Sequence, residues 1–171
     1  MKSFFFSLLV LVSLFITTSC SSSDGDTMQE QQQEQVEGGS ANLTINGIGL
    51  NNFNVVVDRA SLIDEDDSVR IDITNNEGYR VVFTVAKPIL QQQYTMIAYN
   101  NTMDNISSMS IPVEGIFLSK AGGTLTITNI TTVGEGTTYL GNFNVDYDRQ
   151  DNSPGDINVT GTFEITANTD S

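Results

Sequence analysis

Four aspartates, Asp146, Asp148, Asp151 and Asp156, crowd one stretch near the C-terminal end of the chain, and Asp64-Glu65-Asp66-Asp67 forms a second acidic run. Carboxylates at such density are what hard cations take, and calcium uses about 6 to 8 oxygen ligands. Neither group has the spacing of an EF-hand loop, so solvated acidic loops are the plainer expectation, with calcium binding as the alternative. A carboxylate pair about 5 to 10 Å apart would suit glycoside hydrolysis, and Asp72, Asp146 and Glu164 are the outward-facing acids from which one would be drawn. Sheet faces carry such acids routinely. The chain has no histidine and one cysteine, which removes the commonest general base and the usual ligands of zinc, copper and haem. The expectation is a protein that is not an enzyme and uses no cofactor. Sugars stack on aromatic planes, and with no tryptophan present the candidates are Tyr79, Tyr94, Tyr99, Tyr139 and Tyr147. As strand residues these are expected to be half buried with the hydroxyl wet; Tyr94 and Tyr99 would share a binding edge if a bulge realigned them.

The lone cysteine, Cys20, comes after Lys2, an apolar run from Phe4 to Ile16, and Thr17-Thr18-Ser19. That order is the positively charged start and short apolar segment of a secretory signal, and about 13 apolar residues are too few to span a bilayer as a helix. The segment resembles a bacterial lipoprotein signal, in which the cysteine thiol is diacylated, with palmitate-type chains, and the chain is cut just before it. The resemblance implies residues 1–19 as signal peptide, Cys20 as the lipidated residue, and the membrane as partner. Two acyl chains anchor stably, at about 0.8 kcal/mol per buried methylene.

Residues 20–41 continue as a Ser-, Gln- and acid-rich stretch with no basic residue and little to bury, which predicts a disordered tether spanning on the order of 25 Å. Ser21 to Asp26 resembles the acidic stretch that carries many lipoproteins of Bacteroidota-type bacteria to the outer leaflet. That implies an outer-membrane lipoprotein exposed at the cell surface, with a periplasm-facing location as the alternative. Asp26-Thr27-Met28 and Asp67-Ser68-Val69 resemble the Asp-Ser/Thr-apolar sites at which these bacteria attach O-glycans, making Thr27 and Ser68 the candidates.

The chain from Asn42 onward must hold these groups in place, and its pattern has a period of two: Leu43 and Ile45; Phe53, Val55 and Val57; Val69, Ile71 and Ile73, then an Asn75-Asn76-Glu77-Gly78 turn into Val81, Phe83 and Val85. Such alternation with turn residues between runs predicts strands and hairpins. A strand is expected around Tyr94 to Tyr99, and an edge strand with a bulge over Met109 to Leu118, where Pro112 and Gly115 interrupt. Leu125 and Ile127, then Tyr139, Phe143, Val145 and Tyr147, then Ile157, Val159, Phe163 and Ile165 complete the alternation. With one apolar face per strand, residues 42–171 are expected to form a single all-β domain. An antiparallel β-sandwich is the first architecture, and a closed or partly open antiparallel barrel the alternative.

Ile45-Asn46-Gly47, the Val69 to Val85 hairpin, Gly123-Thr124-Leu125-Thr126-Ile127-Thr128 and Val159-Thr160-Gly161-Thr162-Phe163-Glu164-Ile165 together resemble the small β-rich lipoproteins of Bacteroidota. The resemblance implies fold and location and carries no chemistry. With Lys plus Arg at 7 against 21 Asp plus Glu, a net charge of -14, the chain repels nucleic acid and anionic headgroups. A membrane-tethered binding or structural module, with a glycan or protein as ligand, is the functional expectation.

Overall fold

The structure, a computed structural model, describes residues 38–100, 104–152 and 154–168. Cys20 and Thr27 lie outside them. Within them the alternating runs become β1 (Gly39–Gly47), β2 (Leu50–Val57), β3 (Arg59–Asp64), β4 (Ser68–Thr74), β5 (Arg80–Ala86), β6 (Gln93–Thr95), β7 (Ile106–Ile111), β8 (Gly115–Ser119), β9 (Thr124–Val133), β10 (Gly136–Arg149) and β11 (Ile157–Asn168). No helix among the described residues is long and apolar enough to cross a membrane.

The domain is all-β and antiparallel, but its strands form one continuous sheet in the order β2-β1-β11-β10-β8-β7-β5-β4-β3 rather than two separate facing sheets. Asp58 alone separates β2 from β3, so the chain bends there and passes from one wall to the other. At the other end of the order, β3 comes up against β1: a Cβ added to Gly39 would lie 2.9 Å from the Cβ of Ala60. The sheet is therefore rolled and nearly closed, the barrel-like alternative to a sandwich. β10 organises it. One edge pairs with β11 over Gly136–Tyr147; the opposite edge pairs first with β9 over Gly136–Asn144 and then with β8 over Tyr147–Arg149. The sheet forks at that change of partner, with β6 added to β9 and β7 to β8.

The alternation sets the two faces. Val69, Ile71 and Ile73 of β4 and Val81, Phe83 and Val85 of β5 are buried inside, while Arg70, Thr74, Arg80 and Thr84 lie on the outer face. Phe83 meets Phe143 of β10 across the interior, with ring centroids 4.9 Å apart. An apolar interior with charged residues outside is the reverse of a lipid-facing barrel. Inside, Ser107 Oγ donates to the Val82 carbonyl at 2.7 Å. Its single proton is thereby used, so the fully buried Tyr147 hydroxyl donates to Ser107 Oγ at 2.7 Å. Burial pushes the Tyr147 phenol well above its usual pKa, the Ser107 bond opposing in part.

Four expectations need correction. β1 begins at Gly39, so Gly39 to Ala41, assigned to the tether by composition, pair with β11. β3 was not expected, because the acidic run that ends it hides a short alternation. Met109 to Leu118 is not an edge strand with a bulge but the β7–β8 hairpin, interior to the sheet because β7 also pairs with β5. Pro112, which lacks an N–H, sits in its turn, where Val113 takes a φ of 70° and Glu114 N donates to the Ile111 carbonyl at 3.2 Å. Finally, the strand expected to Tyr99 stops at Thr95, after which Met96 N and Tyr99 N donate to the carbonyls of Gly123 and Ser119.

Candidate functional site

A cleft of about 560 Å³ opens on the outer face where Arg70, Thr84 and Ile106 stand side by side on β4, β5 and β7. Glu65 and Ser68 wall it on the side of the β3–β4 turn, and Tyr99 and Asp104 on the side of the segment between β6 and β7. Each wall is fixed by backbone bonds. Glu65 N donates to the Ser68 carbonyl at 3.0 Å, Asn105 N to the Thr84 carbonyl at 2.7 Å, and Ile97 N to the Asn105 carbonyl at 2.8 Å. Asn105 takes a φ of 61°, a conformation asparagine tolerates better than most residues.

The charged groups of this face are paired unequally. Arg80 directs Nε to both oxygens of Asp72 at 2.9 and 3.1 Å, and Nη2 to Oδ2 as well. The hydrogen bond to Asp72 raises the Arg80 pKa against the opposing effect of burial. Arg70 gives Nη1 to Glu65 Oε1 at 3.1 Å, and Ser68 Oγ donates to Glu65 Oε2 at 3.2 Å. Arg70 Nε, however, is buried without a partner, and so is Asn105 Oδ1; among the described residues these are the two such side-chain atoms. Buried polar groups are nearly always satisfied. Arg70 lines the cleft, and Asn105 stands in the chain between the lining residues Asp104 and Ile106.

The tyrosines separate. Tyr99 is 37% exposed and lines the cleft. Tyr94 is buried, its hydroxyl accepting from Leu90 N at 2.7 Å, and Tyr147 is buried in the interior, so the expected Tyr94–Tyr99 edge does not form. Tyr79 is partly buried against Phe53, with ring centroids 5.7 Å apart. Tyr139 is half-buried, and desolvation, with a smaller contribution from the Asp64 charge, raises its pKa.

Each acidic group holds basic partners of its own. Lys120 Nζ lies 2.9 Å from Asp148 and 2.6 Å from Asp156. The hydrogen bond from Lys120 holds the Asp156 carboxyl below the ordinary range, with the hydrogen bond between Asp156 and Asp148 next in effect. Asp146 accepts from Asn158 at 2.8 Å, and Asp151 lies 3.4 Å from Arg149 Nε. In the other run Lys87 meets Asp64 at 2.5 Å, and Glu65 is held by Arg70. No set of three or more acidic side chains among the described residues is placed to hold a metal. Nor do the acids considered for glycoside hydrolysis pair: Asp146 faces Asn158 and Glu164 stands six residues further along β11, roughly 20 Å at the rise of a strand. Asp72 is tied to Arg80. Ser68, the glycosylation candidate within the described residues, opens β4 with its hydroxyl on Glu65.

Tyr99 was among the residues singled out from sequence, whereas Arg70, Asn105 and Asp104 were not. The strand register brings Arg70 beside Thr84 and Ile106, and nothing in the local sequence announces that juxtaposition. No protein-family model, curated protein or solved structure matches the chain.

Proposed function

We propose that this chain is an exported, lipid-anchored binding module of the cell envelope, held by acyl chains on Cys20 and without catalytic activity, its ligand seated in the cleft walled by Tyr99 and Arg70. The carrying observation is the cleft itself. Its volume falls within the roughly 300 to 1,000 Å³ of small-molecule sites, and it gathers Tyr99, two arginines and two carboxylates where the β3–β4 turn and the segment before β7 flank the sheet. The barrel interior is filled by side chains, which leaves the outer face for recognition. The ion pairs within both acidic groups favour this reading over a calcium-binding one. The order of charge, apolar run, small residues and cysteine at the start supports the anchor, and the acidic stretch after Cys20 supports an outer-membrane, cell-surface location.

The test has two parts. Cys20→Ser should move the protein out of the membrane fraction and leave the signal uncleaved; unchanged partitioning would remove the anchor from this reading. A thermal-shift screen of the full chain against saccharides, peptides, nucleosides and small metabolites should then find a stabilising class. At a hundred times its dissociation constant a ligand adds about 2.7 kcal/mol, several degrees for a domain of this size. A screen in which no class moves the midpoint would replace the binding module with a purely structural one, and a shift left intact by Tyr99→Ala would remove the ligand from this cleft.

A further inference from the structure

We propose that the cleft binds a neutral saccharide, one sugar ring lying against Tyr99 with its hydroxyls shared between Arg70 and the facing polar groups; this rests on the binding-module reading and names its ligand class. The charge balance sets the first limit. Arg70 is paired with Glu65 and Arg80 with Asp72, so most of the charge at the site is already met, with Asp104 the further carboxylate of the lining, and a ligand without formal charge suits it. An anion would enter against the field of a chain at -14, and a cation would find the Glu65 and Asp72 carboxylates already held by guanidinium groups.

The second limit is hydrogen-bond chemistry. The lining offers carboxylates that only accept, guanidinium groups that only donate, and the hydroxyls of Ser68, Thr84 and Ser108 that do both. A sugar ring presents adjacent hydroxyls, each a donor and an acceptor, and is a ligand class able to use all three. Val82 and Ile106 supply too little apolar surface for a greasy ligand. Tyr99, a residue more than a third exposed at the wall, supplies the remaining element, an aromatic ring against which the C–H face of a sugar packs.

The third limit is position. Arg70 lines the site, and Asn105 stands in the chain between the lining residues Asp104 and Ile106. Arg70 pairs across to Thr84, and Thr84 to Ile106 next to Asn105, so the two are about two strand spacings, roughly 10 Å, apart. A sugar ring fits that width.

The experiment uses the full chain purified from membranes in a sugar-free zwitterionic detergent. Saturation-transfer NMR and calorimetry are run with neutral gluco-, manno-, galacto-, xylo- and N-acetylglucosamine tetrasaccharides, with uronic-acid oligosaccharides, and with dipeptides and nucleosides. At least one neutral saccharide should bind. Tyr99→Ala should weaken it by at least about tenfold, or about 1.4 kcal/mol, with an unchanged melting midpoint. Failure of every neutral saccharide, binding of uronic acids alone, or affinity that survives Tyr99→Ala would overturn the proposal. Dipeptides or nucleosides bound in a Tyr99-dependent way would overturn the saccharide and leave the binding module standing. Silence of every probe, in these titrations and in the thermal-shift screen, would take both down.

Discussion

Asp72 shows how much of a residue's role is local and how much comes from register. The alternation of β4 puts it on the outer face, as its sequence neighbours imply, yet it is only 8% exposed. The reason is Arg80. Thr74 pairs with Arg80 and Asp72 with Val82, so the two charged residues are diagonal neighbours on one face, within reach of long side chains. The Arg80 side chain is 49% exposed and that of Asp72 only 10%, which makes the pair asymmetric. Arg80→Met leaves a buried carboxylate without its donor and should cost about 2 kcal/mol, below the full cost for a buried pair because part of Arg80 already sits in water. Asp72→Ala lets the guanidinium turn outward and should cost about 1 kcal/mol less. Urea melts of the two variants check the order, and an equal or larger loss for Asp72→Ala would mean that Asp72 draws its stabilisation elsewhere.

Elements with a clean period of two were readable, and those defined by a partner were not. The β4–β5 hairpin is legible because Asn75 and Gly78 each do a turn's work: Asn75 Oδ1 accepts from Glu77 N and Tyr79 N, and Gly78 takes a φ of 92°. The three-residue β6 and the interior β7–β8 hairpin depend on which strand lies alongside, which the side-chain pattern does not encode. A deeper consequence of register lies between β10 and β11, where Gly141 pairs with Phe163 and Phe143 with Gly161. Each ring covers the glycine opposite. A Cβ on Gly161 would come within 2.6 Å of Phe143 and 2.7 Å of the Asn42 carbonyl, so these glycines exist for the rings, not for a turn. Gly161→Ala should destabilise by about 1 to 3 kcal/mol through overpacking, despite the gain in strand propensity, and Gly161→Ala with Phe143→Leu should recover part of that loss. A stabilised Gly161→Ala would show that the rings move aside freely.

At the scale of the whole molecule, a sandwich and a rolled sheet have the same alternation, which is why the sequence left both open. What decides is where the chain bends, at Asp58, and where β10 changes partner, beside Lys120 to Gly123. The same long-range placement governs the acidic surface. Lys120 reaches Asp148 and Asp156, Lys87 reaches Asp64, and Arg149 reaches Glu114 and Asp151, so the few cations of a chain at -14 are spent inside its acidic groups. Calcium would have to displace Lys120 to use Asp148 and Asp156, and the folded core does not depend on it. Millimolar calcium and excess chelator should therefore give thermal midpoints within about two degrees of each other, where a ligand at saturation would shift them by several. Ionic strength must be matched, since screening by any salt helps an acidic protein. Lys120→Met removes the resident cation and leaves Asp148 and Asp156 facing each other, so calcium sensitivity should emerge in that variant. A calcium-specific rise of more than a few degrees in the unaltered protein, abolished by Asp148→Asn, would mean that the ion outcompetes Lys120 and that the acidic group is a cation site after all.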